Sequence, residues 1–199
     1  MAPPRIEIVG ATYHVNSNAV DGVRLFVNDD DRITFLRMLG AETVRSDWTV
    51  LAYSLMRTHF HVLLTINKPT LSSGFQRLKS LYARGYNRLY CRRGALWQRR
   101  FYDAIVDSEA HLYESIRYIA LNAPRANAAP TAEAWQWSGY GAAIGAYASD
   151  PIVDEKELLR LFGTRPKEAR EALREYVEEH DSRVRRGQTR VRLKSDAEE

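Results

Sequence analysis

Two apolar runs, Trp48 to Met56 and His59 to Ile66, are separated only by Arg57-Thr58. Each has strand length and is rich in branched and aromatic residues. A two-residue link leaves no room for a crossover, so the runs are expected to pair as an antiparallel hairpin. Alternate residues of a strand point to opposite sides. In the second run Phe60, Val62, Leu64 and Ile66 form a uniformly apolar face suited to a core, whereas His59, His61, Leu63 and Thr65 share the other face.

The segments around the hairpin restrict the fold further. Residues 11–17 read as a strand. Asn28-Asp29-Asp30-Asp31 supplies cap chemistry for a helix over 30–46, with Phe35, Leu36 and Leu39 on its apolar side. After the hairpin, Leu71, Phe75, Leu78, Leu81, Tyr82 and Leu89 recur at helical spacing and predict a helix over 70–91, ended by Arg92-Arg93-Gly94. Phe101 to Val106 predicts a fourth strand, and Asp107-Ser108 caps a helix over 108–122 with Pro124 just beyond it. This order predicts an α+β fold, a ferredoxin-like split βαβ antiparallel sheet with helices on one face. A Trp/Ala/Gly-rich connection spans 130–149, and two short helices are expected near 154–162 and 166–180. The expected organisation is a main domain over 1–149 and a helical extension over 150–199. The tail of that extension, Asp181 to Glu199, holds six Lys/Arg against four acids and is expected to be mobile.

Composition removes several alternatives. A hydrophobic fraction of 45% supports an ordinary core and excludes global disorder. The single cysteine, Cys91, excludes an internal disulfide and a Cys-rich zinc site. No run approaches the roughly 18 apolar residues of a membrane span, and Met1 to Glu7 lacks the apolar region of a signal peptide. The expectation is a cytoplasmic protein with no membrane partner.

The net charge of +4 hides a strong asymmetry. Residues 48–102 hold Arg57, Lys68, Arg77, Lys79, Arg84, Arg88, Arg92, Arg93, Arg99 and Arg100 and no acid, a charge of +10. With ten of the 29 Lys/Arg in that segment, the remainder has 19 against all 25 acids, a net −6. Tyr82, Tyr86, Tyr90, Trp97, Phe101 and Tyr102 are interleaved with the arginines. Arginine for phosphate and aromatic rings for base stacking is the mixture that single-stranded nucleic acid requires. The plainer alternative is a solvated basic helix whose aromatics belong to the core.

His59 and His61 flank Phe60, and as alternate residues of one strand both imidazoles can ligate one divalent metal. Two histidines leave coordination positions for water, a third ligand and substrate oxygens. On the helix over 108–122 the core stripe is Leu112, Ile116 and Ile119, and a flank about 90° away holds His111, Ser115, Tyr118 and Asn122. Tyr118 and Asn122 then stand one turn apart on one face. This pair suits either a nucleophile beside an amide ligand or an ordinary amphipathic helix end.

Taken together, these blocks resemble the single-tyrosine HUH transposases, most closely their REP-associated tyrosine transposase branch and related IS200-like enzymes. Tyr53 to Leu64 resembles the metal-binding strand. Tyr86-Asn87-Arg88 and Gly94 to Tyr102 resemble the branch's FN-R and G-LWQ-RFY patterns. Arg117 to Ala126 resembles its RYI-LNPVRA block, Trp135 to Tyr140 its W-WSSY block, and Gly10 to Val15 its opening strand. The resemblance covers residues 5–148.

The resemblance implies a metal-dependent transposase that cleaves and rejoins single-stranded DNA, at hairpin-bearing repeats, through a 5′-phosphotyrosine. Tyr118 would be the nucleophile. His59, His61 and Asn122 would hold Mg²⁺ or Mn²⁺. Arg77, Lys79, Arg84, Arg88, Arg92, Arg93, Arg99 and Arg100 would contact DNA, and Trp97 would either stack on a base or serve the core. The branch resembles monomers more, with a dimer left open. Two departures stand out: Arg57-Thr58 replaces the usual Pro-Asn before the first histidine, and Asn122-Ala123-Pro124-Arg125 replaces Asn-Pro-Val-Arg. Three other readings use the same residues, the plainest being a structural histidine pair in a basic α+β domain, which leaves the ordered set of blocks unexplained. A domesticated, non-catalytic DNA-binding protein would have no need of His59, His61, Tyr118 and Asn122 together. An RNA-binding module would want aromatics beside the histidines, where Leu63 and Thr65 stand.

Overall fold

The structure, a computed structural model, describes residues 7–179. The expected tail from Asp181 to Glu199 lies outside the described residues. Strand β1 (Thr12–Asn18) alternates half-buried and buried positions, with Tyr13, Val15 and Ser17 inward. Helix α1 (Asp29–Ser46) begins at Asn28, whose side chain accepts the Asp31 N–H while the Asp31 carboxylate accepts the Asn28 N–H. Such a reciprocal cap stabilises a helix by about 1 kcal/mol. Asp29, Asp30 and Asp31 also meet the positive end of the helix dipole.

Strands β2 (Trp48–Leu55) and β3 (His59–Ile66) form the expected hairpin, closed by Met56 N–H donating to the His59 carbonyl at 2.8 Å. Helix α2 (Leu71–Leu89) leads to the short strand β4 (Tyr102–Ile105). The sheet order is β2-β3-β1-β4, antiparallel throughout, which is the ferredoxin-like arrangement. Helices α1 and α2 cover the apolar face. Phe35 and Phe75 pack on Phe60 with ring centroids 4.9 and 6.3 Å away, and Phe75 stacks on Trp48 at 4.8 Å.

The expectation of helices on one face holds for α1 and α2 but not for α3 (Glu109–Ala120), which lies on the opposite face, the one that carries the histidines. The reason is visible in α3 itself: Ile116 and Ile119 are buried and need an apolar surface, and Leu63 and Ala52 provide one on that side. The expected helix over 108–122 is also two helices. Pro124 has no N–H to offer the Ala120 carbonyl and its ring crowds that carbonyl, so α3 stops at Ala120. The chain resumes as α4 (Asn122–Arg125).

Residues 130–149 contain one further turn of helix, α5 (Tyr140–Ala143). Then come α6 (Glu155–Arg160) and α7 (166–179). This region closes the open edge of β2, where unpaired backbone groups would invite association. Leu55 N–H donates to the Trp137 carbonyl and Asp154 N–H to the Val50 carbonyl, both at 2.8 Å, with bridges Ser54–Ser138 and Val50–Val153. Gly139 permits the close approach, since a Cβ there would lie 2.4 Å from Val153 Cγ2. Leu158, Ala169, Leu173 and Val177 join the same core as the sheet. No described helix is long and apolar enough to cross a membrane.

Candidate active site

His59 and His61 lie on one face of β3, with ring centroids 5.2 Å apart. The sheet register sets their neighbours. Asn18 stands opposite His59, and Asn16 and Ser54 stand on either side of His61. His59 Nδ1 lies 3.2 Å from the Thr58 hydroxyl, so the replacement at Thr58 supplies a polar group that orients the ring. The turn itself stays tight, because the Arg57 and Thr58 carbonyls accept backbone N–H groups of Leu25, Phe26 and Ala19. The Asn122 side chain, in the first turn of α4, lies beside His59 and favours its protonated form. Asn122 is thus brought to the histidines, although it is not on the tyrosine's own helix.

Tyr118 is 42% exposed, and its ring packs edge-on against His61 with a centroid distance of 5.4 Å. Arg125 places its guanidinium 5.8 Å from the Tyr118 ring. Four residues singled out in the sequence, His59, His61, Tyr118 and Asn122, therefore converge on one side of the sheet.

A fifth residue joins them that sequence reasoning does not single out. His14 of β1 lies on the same face, with Nε2 3.0 Å from His61 Nδ1 and its ring 5.8 Å from Tyr118. Only the register, His14 opposite Leu63, makes it a diagonal neighbour of His61. Burial dominates the electrostatics here. Desolvation lowers the His61 pKa to about 3, helped by His14 and His59, and lowers His14 to about 4, helped by His111. His59 is also lowered by burial, opposed by the neighbouring Asn122 side chain. All three imidazoles are neutral at pH 7 and retain lone pairs for a cation. Among the described residues no group of three or more His, Cys, Asp or Glu is arranged to hold a metal. Two imidazoles and the Asn122 amide oxygen form a donor set that fits a divalent ion and leaves positions for water and substrate oxygens.

The basic segment divides by burial. Arg84, Arg88, Arg93, Arg99 and Arg100 are exposed. Lys79 is a correction to the expected DNA contacts: it is buried, its ammonium donates to Ser17 Oγ at 2.6 Å and to the Arg99 carbonyl at 2.8 Å, and it lies 4.7 Å from the Trp97 ring. A cation held inside in this way cannot reach a phosphate without losing those partners. Arg77 is likewise turned to α1, paired with Glu42 at 2.6 Å. Arg92 folds back on the Ala95 carbonyl at 2.7 Å. Trp97 serves the core, packing edge-on to Phe60 at 5.9 Å and donating to the Lys79 carbonyl. The backbone after Trp97 runs beside the end of β1, where Gln98 N–H bonds the Asn18 carbonyl, and Asn18 stands opposite His59. There Tyr102, 44% exposed, sits opposite Asn16 on the histidine face with Arg99 5.7 Å from its ring.

Residues 12–122 match the family model of the IS200-like transposases. Among solved structures, the chain is similar to a REP-associated tyrosine transposase bound to a REP hairpin, with a TM-score of 0.62 at 16% identity, covering 77% of this chain and 94% of that one. A weaker likeness, TM-score 0.42 at 9% identity, is to the tRNA(His) guanylyltransferase of Saccharomyces cerevisiae, covering 86% of this chain and 80% of that one. No curated protein matches the chain in sequence.

Proposed function

Because the chain belongs to the IS200-like transposase family, we propose that it cleaves and rejoins single-stranded DNA through a covalent bond to Tyr118, at sites marked by a hairpin-bearing repeat. The observation that carries this reading is the packing of the Tyr118 ring against His61, with His59 and Asn122 on the same side of the sheet.

His59, His61 and Asn122 would hold Mg²⁺ or Mn²⁺. When bound, such an ion draws charge from the scissile phosphate and stabilises what builds up on its oxygens. The chain's own residues perform the rest. Tyr118 Oη attacks phosphorus, the bond from phosphorus to the 3′ oxygen breaks, and the phenolic proton is lost as the leaving 3′ oxygen gains one. The product is a 5′-phosphotyrosine and a free 3′-hydroxyl. Attack by another 3′-hydroxyl reverses the exchange and reseals the strand. One phosphodiester is traded for another each time, so no nucleotide cofactor is required. The partial exposure of Tyr118 lets a strand reach its hydroxyl. Arg93, Arg99 and Arg100, with Arg84 and Arg88 further along, would neutralise phosphates leading to the site. Tyr102 would offer a ring on which a base can stack. The repeat hairpin held by the structural neighbour supports a hairpin as the DNA feature bound here.

The test is incubation with labelled single-stranded repeat DNA and Mg²⁺ or Mn²⁺. A protein–DNA adduct that requires the ion and disappears in Tyr118→Phe is expected. Tight hairpin binding with no adduct under any ion would instead indicate a DNA-binding protein that has left the chemistry behind.

A further inference from the structure

Metal-binding histidines use one ring nitrogen for the ion and the other for a hydrogen bond that sets the tautomer and the ring angle. His61 makes such a bond, from Nδ1 to His14 Nε2 at 3.0 Å. Two neutral arrangements satisfy it. If His14 Nε2 carries the proton and donates, the neutral His61 ring must carry its own proton on Nε2 and has no lone pair left for a cation. If His61 Nδ1 carries the proton, His14 accepts, and His61 Nε2 is free to ligate. Only the second arrangement is compatible with an ion at His61.

We propose that His14 is a positioning residue: it accepts the Nδ1–H of His61, fixes the tautomer that exposes Nε2, and holds that ring square to Tyr118. This rests on the reading of His59, His61 and Asn122 as metal ligands. Three features point to His14 for this role. It comes from β1, the strand between β3 and β4, so its backbone is braced on both sides. Its ring also packs near Tyr118, at 5.8 Å, so one side chain borders both the ligand and the nucleophile. The Ser54 hydroxyl, which the register places beside His61, is turned to Met56 instead.

The test is Mn²⁺ binding to the full chain without DNA, followed by the electron paramagnetic resonance of the ion. His14→Phe keeps a ring but has no acceptor, and the expected result is Mn²⁺ affinity weakened by about 10- to 100-fold. His14→Gln places an amide oxygen at similar reach and is expected to restore most of it, while thermal stability and hairpin binding separate a folding defect from a missing acceptor. Unchanged affinity in His14→Phe, with His61→Ala abolishing binding, overturns the role of His14 alone. Unchanged affinity in His61→Ala overturns the metal site and this role with it. An independent readout uses the unaltered chain labelled with ¹⁵N-histidine and loaded with Mg²⁺. Nitrogen spectra are expected to show protonated Nδ1 on His61 and unprotonated Nε2 on His14, and the reverse assignment overturns the proposal.

Discussion

At His14 and His61 two rings share one hydrogen bond inside a face that α3 covers, and desolvation holds both pKa values far below the usual imidazole value. The consequence for stability follows from linkage. The unfolded chain protonates these histidines near pH 6.5, whereas the folded chain resists until about 4 for His14 and about 3 for His61. Below pH 6.5 the unfolded state therefore binds more protons, and folding is weakened as pH falls. Above pH 6.5 both states are neutral at these groups and they contribute no slope. The expected outcome is a metal-free protein whose denaturation midpoint is flat from pH 7 to 8 and drops between pH 6.5 and 4, by up to about 1.4 kcal/mol per pH unit for each histidine. Denaturant titrations of wild type and His14→Gln measure it, and the variant is expected to show the shallower slope. His59 and His61 are legible in the sequence because alternation along one strand already puts them side by side. His14 is not, because its place depends on how β1 registers against β3, and no local pattern carries that information. Lys79 misleads for a related reason. Its helix is lined with exposed arginines, and only the packing of Trp97 and Ser17 shows that this one cation turns inward.

Element positions are legible to within a few residues, since they follow periodicity and caps such as Asn28 and Ser108. The break between α3 and α4 is not, although Pro124 stands in plain view: helical spacing alone puts the proline beyond the helix, whereas its effect reaches back one turn to Ala120. The break separates Tyr118 from Asn122, so the proposed nucleophile and the amide are carried by two short elements that meet at Leu121. Helix α3 is also held by the extension. Tyr113 donates its hydroxyl to the Leu161 carbonyl and packs on Phe162 and Tyr176 at 5.2 and 5.7 Å, and Arg117 lies 4.6 Å over Tyr176. At the β2 edge the packing is tight enough to test directly. Gly139→Ala forces a Cβ against Val153 and is expected to destabilise by about 1–3 kcal/mol. Val153→Ala removes the atom in the way, so the double variant is expected to lose less than the sum of the singles, measured by urea denaturation.

On the scale of the whole molecule, the two faces of the sheet divide the work. Helices α1 and α2 build the core on one side, and the other side gathers His59, His61, Tyr118 and Asn122 with His14 beside them. The charge asymmetry of the sequence takes a sharper form here: part of the +10 is consumed internally by Arg77, Lys79 and Arg92, while Arg84, Arg88, Arg93, Arg99 and Arg100 stay exposed. Salt dependence separates the two groups. Arg99→Ala with Arg100→Ala is expected to reduce the slope of log affinity against log salt by about 0.7 for each single-strand phosphate that is no longer neutralised. Lys79→Met is expected to leave that slope unchanged while altering stability.

The proposed covalent joining of Tyr118 to the 5′ phosphate of a cleaved strand is the step on which every other proposed role at this site depends. The most direct measurement is mass spectrometry of the proteolysed adduct formed with single-stranded repeat DNA in the presence of Mn²⁺. A nucleotide remnant on the peptide at Tyr118, absent when His61→Ala is used, is the predicted result. A remnant on any of the other ten tyrosines of the chain, or cleaved DNA with no protein attached, would contradict it.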